Sequence, residues 1–216
     1  CGLHTIGEAP TAEEAVATLV NIASLEREQE QLRSLPGLLA ESINLNIDEV
    51  YKGNNKGELK FVELNEKIIK TSRESIFAMV KSLKIVDGRV YLEKSLLSKL
   101  FDFLKIFGIN TPTPWLRICR INGFKDIDQN ELNKLFDYLL FCLEQVCADK
   151  EMESLIKALD GNYVLPGPGG DPIRNPGVLP SGKNIHALDP QSIPTIAAVA
   201  AAKSVVDKLI ERQKEE

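Results

Sequence analysis

The side chains best equipped for chemistry crowd into one stretch near the end of the chain. Between Asn162 and Pro190 lie Asp171, Arg174, Lys183, Asn184, His186 and Asp189, interleaved with the apolar Val164, Leu165, Ile173, Val178, Leu179, Ile185 and Leu188. A histidine among charged neighbours is a candidate base or ligand, because its unperturbed pKa lies close to neutral. The plainer reading of the same charges is a loop that pairs and caps itself, with Asp171 and Asp189 accepting backbone amides, since charges in a packed loop must be paired or exposed. A second, smaller group stands at the start of the chain. His4 is the only other histidine, and Glu8 in Gly7-Glu8-Ala9-Pro10 is a carboxylate in a turn with no evident structural duty. Glu14, by contrast, has one, closing a Thr11-Ala-Glu-Glu14 capping box.

Gly177-Val-Leu-Pro-Ser-Gly182-Lys183-Asn184 matches a phosphate-binding loop at seven of its eight positions. That loop needs a hydroxyl after the lysine to hold magnesium, and a strand before it to aim its glycines into a helix. Here Asn184 replaces the hydroxyl, proline-rich chain replaces the strand, and Pro180 deletes an amide that would cradle phosphate. Nucleotide binding at this segment is set aside. The two histidines lack the spacing of a zinc site.

Positioning these residues requires a frame, and the frame reads as mainly α. The apolar positions Ala15, Leu19, Ile22 and Ala23 recur at helical spacing after the capping box, predicting a helix from Thr11 to Leu32 whose Glu26–Gln31 end is a solvated charged surface. Short helices follow around Leu35–Ser42 and Ile47–Tyr51, broken by Gly53-Asn-Asn-Lys-Gly57, and a long one spans Glu58–Lys84. Asp87-Gly88 permits a small hairpin between Lys84-Ile-Val and Arg89-Val-Tyr-Leu. Further helices are expected over Leu96–Phe107, from Asp128 through Val146, over Glu151–Leu159, and from Pro194 to Ile210. Trp115 reads as the core anchor of a loop, and Phe136, Tyr138 and Phe141 as helix-face core.

The stretch between the last two helices holds too much glycine and proline for helix or central strand. Its apolar content distinguishes it from a disordered linker, so it is expected to be ordered. The expected organisation is a helical region over 1–160, a motif loop over 161–190, and a helix over 191–216 leading into a following domain. The first residue is Cys1 and the last helix carries no stop signal, so a piece of a longer protein is expected. A net charge of −5 with scattered lysines argues against nucleic acid as a partner. No apolar run approaches the roughly 18 residues of a membrane span. Four cysteines without a C-x-x-C pair indicate a reducing compartment.

Cys1-Gly-Leu-His4-Thr-Ile-Gly-Glu8, the helix from Ala12, Val50-Tyr-Lys-Gly53, and above all Pro166-Gly-Pro-Gly-Gly-Asp-Pro-Ile-Arg-Asn-Pro176 with Val178-Leu-Pro-Ser-Gly-Lys-Asn-Ile-His-Ala-Leu-Asp-Pro190 carry a resemblance. The chain resembles the large (H) subunit family of magnesium chelatases and, more distantly, the cobaltochelatase large subunit. The resemblance implies part of a porphyrin-binding subunit, in a ligase that inserts Mg²⁺ into protoporphyrin IX for chlorophyll or bacteriochlorophyll synthesis. ATP would be hydrolysed by two AAA+-type partner subunits and not bound here. The compartment implied is the cytoplasm of a photosynthetic bacterium or the chloroplast stroma. Among residues of this sequence it points to Glu8, Asp171, His186 and Asp189 for catalysis, and to His4, Arg174, Lys183 and Asn184 for holding the porphyrin. No residue is assigned as a certain metal ligand. Residues 84–127 match the family only loosely, and a His-Gly-x-His-Gly-type segment associated with it is absent from this sequence. The competing reading is a helical scaffold or docking module of the same subunit that contacts the ATPase partners.

Overall fold

The computed structural model of the protein describes residues 9–28, 30–94, 112–148, 150–186, 199 and 201–206, with the backbone alone at 94 and 184–186. Helix α1 (Ala12–Ala23) opens on the expected capping box: Thr11 accepts from the Glu14 amide, and the Glu14 carboxylate accepts from the Thr11 amide at 2.9 Å. It then stops well before the expected end at Leu32. The chain turns back on itself, with Arg27 N donating to Leu32 O and Leu32 N to Arg27 O, both at 2.9 Å, and Gln31 at φ 53°. This reversal lets Leu32 and Leu35 return to the core, where each is buried. A helix continued to Leu32 would have carried them away from it. The Glu26–Gln31 stretch is not all solvated surface, since Arg27 within it is buried.

Ser34 caps α2 (Leu35–Glu41), and Asn46 caps α3 (Ile47–Asn55). Helix α3 continues through Gly53, where a turn was expected, and α4 (Leu59–Lys81) follows directly. The inner face of α4 carries Ile68, Ile76, Met79 and Val80 together with the small polar Thr71, Ser72 and Ser75, all buried. The small side chains let a neighbouring helix approach. Ser72 spends its hydroxyl on Ile68 O at 2.9 Å, and Ser75 Oγ meets Cys119 Sγ at 3.4 Å.

Strands β1 (Leu83–Val86) and β2 (Arg89–Lys94) form the antiparallel hairpin that Asp87-Gly88 allows, with both turn residues at positive φ, 49° and 78°. A lone hairpin is marginal. This one is held because Leu83 and Val90 enter the core and its turn grips the start of α1, through Ala12 N to Gly88 O at 2.9 Å and Val90 N to Pro10 O at 3.0 Å.

Helix α5 (Pro114–Ile121) was not expected; Pro114 at its first turn and Trp115 read as loop. Proline is tolerated at a helix start because the missing amide would be unpaired there anyway. Trp115 is nevertheless an anchor, stacked on Phe136 with ring centroids 4.9 Å apart and planes 4° apart. Asp128 caps α6 (Gln129–Cys147) by accepting from the Asn130 and Glu131 amides. Phe136 is buried and Tyr138 packs at the core edge, whereas Phe141 is half exposed and not core. Helix α7 (Glu151–Leu159) buries none of its residues.

Seven helices and two small strand pairs make the described protein mainly α. Helix α4 is the central element, packed against α1, α3 and α5, and α6 closes the other side of α1. The expected helix over Leu96–Phe107 lies outside the described residues. Of the expected final helix, 201–206 are described and are helical.

Candidate functional site

Up to residue 186 the motif loop folds back on itself. Strand β3 (Pro166–Pro168) pairs in parallel with β4 (Asn184–His186), with Gly167 opposite Ile185, so the two halves of the motif are brought side by side. A Cβ at 167 would sit 2.5 Å from Lys183 Cδ, so a side chain there would require the lysine stem to move aside. Between the strands, Asp171 Oδ1 accepts from Ile173 N at 3.0 Å, Asn175 N donates to Asp171 O at 2.9 Å, and Asn175 Oδ1 accepts from Gly177 N at 3.1 Å. A single 3₁₀ turn over Pro176–Val178 follows, and Leu179 and Pro180 are buried beneath it. Local side-chain acceptors thus replace the helix or sheet ladders that the prolines forbid.

Two contacts among the described residues seat the loop on the helical body. Gly182, at φ 91°, lies so close to the start of α7 that a Cβ would be 2.7 Å from Lys150 O and 2.8 Å from Glu151 N. On the other side Arg27 donates from Nη2 to Ile173 O at 2.6 Å and from Nη1 to Arg174 O at 3.1 Å, with its guanidinium 5.5 Å from the Tyr138 ring centroid. Arg27 is a residue that the sequence reading missed. Its only local signal was a cation at the foot of an amphipathic helix, which is ordinary for a solvated end.

The sequence-predicted residues fall into two sets. Asp171 and Arg174 are brought together, Asp171 Oδ2 lying 3.9 Å from Arg174 Nε, a loose pairing that leaves both side chains largely in solvent. Lys183 Nζ donates to Leu179 O at 3.2 Å, and its stem packs on Gly167. The backbones of Asn184 and His186 are in β4, one residue apart. His4, Glu8 and Asp189 lie outside the described residues. The chain just after Glu8 is fixed all the same, by Arg89 Nη1 donating to Ala9 O at 2.6 Å. The self-capping expected of Asp171 is present, while its second oxygen and the Arg174 guanidinium face each other loosely on exposed side chains. After Lys183 the chain enters strand β4, where a phosphate loop would begin a helix.

A separate groove of about 440 Å³ opens between the Arg27–Leu32 reversal and α2 and α3, lined by Glu26, Arg33, Glu41, Asp48 and Tyr51 among others. Arg33 and Glu41 pair across it. Tyr51 has its phenol pKa raised, by burial first and by the neighbouring Asp48 carboxylate second.

Comparison with known proteins gives a consistent result. The family profile described as CobN/Magnesium Chelatase matches residues 1–216. The chain is 51% identical over 214 residues to the magnesium-chelatase subunit ChlH, chloroplastic, of Oryza sativa subsp. indica, covering 99% of this chain and 15% of that protein. It is 45% identical over 62 residues, 29% of this chain and 5% of the relative, to the magnesium-chelatase H subunit of Rhodobacter capsulatus. Aerobic cobaltochelatase subunit CobN of Sinorhizobium is 41% identical over 63 residues, again 29% of this chain and 5% of that protein. The chain therefore spans about 15% of the length of the rice relative that it matches end to end.

Proposed function

The chain belongs to the CobN/magnesium chelatase family, and from that premise we propose that it forms part of the porphyrin-binding subunit of a magnesium chelatase. In this reading the whole protein inserts Mg²⁺ into protoporphyrin IX while two AAA+-type partner subunits hydrolyse ATP, and the product leads toward chlorophyll. The end-to-end similarity to the rice subunit carries the proposal. The description of that relative as chloroplastic favours the chloroplast over a bacterial cytoplasm. Residues 1–160 serve as the helical frame, 161–190 as the motif loop and 191–216 as the lead into a following domain.

The chemistry assigns roles by residue type and position. Mg²⁺ dehydrates reluctantly and prefers oxygen ligands, so a carboxylate oxygen must replace water as the ion approaches. Asp171 suits this step, because Oδ1 is committed to the Ile173 amide while Oδ2 has only the loose 3.9 Å pairing with Arg174 on a half-exposed side chain. The porphyrin gives up two pyrrole protons as it takes the ion, and Glu8, His186 and Asp189 are the proposed acceptors. Arg174, with a side chain 85% exposed, and Lys183 are proposed to hold the propionates by charge-assisted bonds, helped by His4 and Asn184.

Porphyrin affinity and Mg²⁺ insertion measured separately in the full-length subunit test these roles. Arg174→Ala is expected to weaken porphyrin binding by roughly tenfold or more, the size of a lost charge-assisted bond. Asp171→Asn and His186→Ala should lower the insertion rate while affinity is kept. Unchanged values in all three variants would remove the loop from the site. The scaffold reading draws support from α7, which exposes Met152, Leu155, Ile156 and Leu159. Capture of the ATPase partners without porphyrin quenching of Trp115 fluorescence would favour it.

A further inference from the structure

Arg27 stands 146 and 147 positions before the two carbonyls it grips, so its contacts with Ile173 and Arg174 are the long-range polar tie between the α1 foot and the motif loop. Its environment is costly for a cation. The side chain is only 8% exposed, lies over the Tyr138 ring, and has an Nε that finds no acceptor among the described residues. Burying a guanidinium is unfavourable unless its protons are well received, and here the receivers are two successive main-chain oxygens of one loop. A planar fork suits that task, since it can reach two fixed carbonyls together while stacking on an aromatic ring; a lysine ammonium is a single point. The consequence falls on Arg174. Its own carbonyl is held against the body while its side chain is 85% exposed, so the clamp fixes the stretch of backbone from which the Arg174 guanidinium extends.

We propose that Arg27 is a positioning residue: it touches no substrate, but by clamping the Ile173 and Arg174 carbonyls it holds Arg174 where a porphyrin carboxylate is met. The inference rests on the porphyrin-facing reading of the loop, and its own part can be tested apart from that reading.

The test compares Arg27→Met, Arg27→Lys, Arg174→Ala and the Met/Ala double variant in the full-length subunit. Amide exchange is followed at Ile173, Asn175, Gly177, Val178 and Leu179, whose N–H groups are paired within the loop. In Arg27→Met these amides should exchange at least about tenfold faster while those of α1 and α6 are unchanged, the factor expected when a charge-assisted tie is lost. KM for protoporphyrin IX should rise several-fold with kcat nearly retained, as removal of uniform binding requires. The double variant should be less than additive, because Arg174 no longer positioned has little left to lose. Arg27→Lys should lie between, and it serves as the probe if the Met variant does not fold. Unchanged loop exchange would overturn the proposal, as would faster exchange with an unchanged KM while Arg174→Ala raises it. If Arg174→Ala itself leaves KM unchanged, the porphyrin-facing reading fails, and the exchange data alone then decide whether Arg27 is the clamp.

Discussion

At Gly53 the separation of two helices is set by a missing side chain. A Cβ there would sit 2.2 and 2.5 Å from Phe61 ring carbons and 2.9 Å from Phe61 Cβ, so α3 and the first turn of α4 meet at a distance only glycine permits. Two effects of Gly53→Ala oppose each other. Alanine is favoured over glycine in a helix by roughly 1 kcal/mol. Overpacking against a ring whose Cβ is itself in the way costs about 1–3 kcal/mol. The second wins, because the ring can rotate out but its Cβ moves only with the backbone of α4. The expected result is a net loss of about 1 kcal/mol and a thermal midpoint lower by roughly 2–4 °C, the scaling for a chain of this size. Adding Phe61→Ala should recover part of the midpoint lost to Gly53→Ala. A midpoint that rises in the single variant would show that the two helices can part without cost.

Gly182 is one of the points at which the motif loop meets the helical body. Its φ is 91°, and a Cβ added there would meet Lys150 O at 2.7 Å, a backbone atom that cannot swing aside as a side chain can. Gly182→Ala is therefore expected to lift the loop from the start of α7, with proteolytic cleavage within 166–186 faster by roughly tenfold. The body should keep its thermal midpoint within about 2 °C, since its core of α1, α4 and α6 residues draws little from the loop. A common loss of loop protection and midpoint would mean that the two form one cooperative unit. The same division governs what could be read in advance. Capping signals at Thr11 and Asp128 and the apolar spacing of α4 and α6 are local, and those elements stand close to where they were expected. The end of α1 was misread because Glu26–Gln31 favours helix by composition, while the chain reversal is decided by burial of Leu32 and by Arg27 finding its acceptors far along the chain. Helix α5 was missed because two prolines mask an eight-residue segment whose stability comes from Trp115 stacking on Phe136. In the loop, the Asp171 cap is local and was foreseen; the clamp by Arg27 joins residues 146 positions apart and left no trace in spacing.

Across the whole molecule, the interior holds groups that must stay protonated. Cys119 and Cys142 are buried, Cys147 is half-buried, and all three are free thiols. Burial raises the Cys119 thiol above its ordinary value, and pushes Cys142 and Cys147 from 9.0 to about 11. Tyr138 is pushed from 10.0 to about 12, by burial first and by neighbouring Cys142 next, with the Arg27 charge acting in the opposite direction. Each folded pKa lies above its unfolded value, so the folded state binds these protons more tightly. Their contribution is complete below about pH 9 and is lost as pH rises through 9 toward 11 and 12. Urea midpoints should consequently be level, as far as these groups are concerned, between neutrality and about pH 8 and fall above about 9. A Cys147→Ala variant should show a shallower fall, because one raised thiol has been removed. A midpoint level up to about pH 11, or the same slope in both proteins, would sink this account. The clamp gives the sharper version. Arg27 lowers the pKa of both Tyr138 and Cys142, so Arg27→Met withdraws that influence and their titrations must move up. Ultraviolet titration of the folded protein should place phenolate and thiolate formation at higher pH in Arg27→Met than in the parent. A titration that does not move would mean that the guanidinium does not sit over Tyr138 in solution.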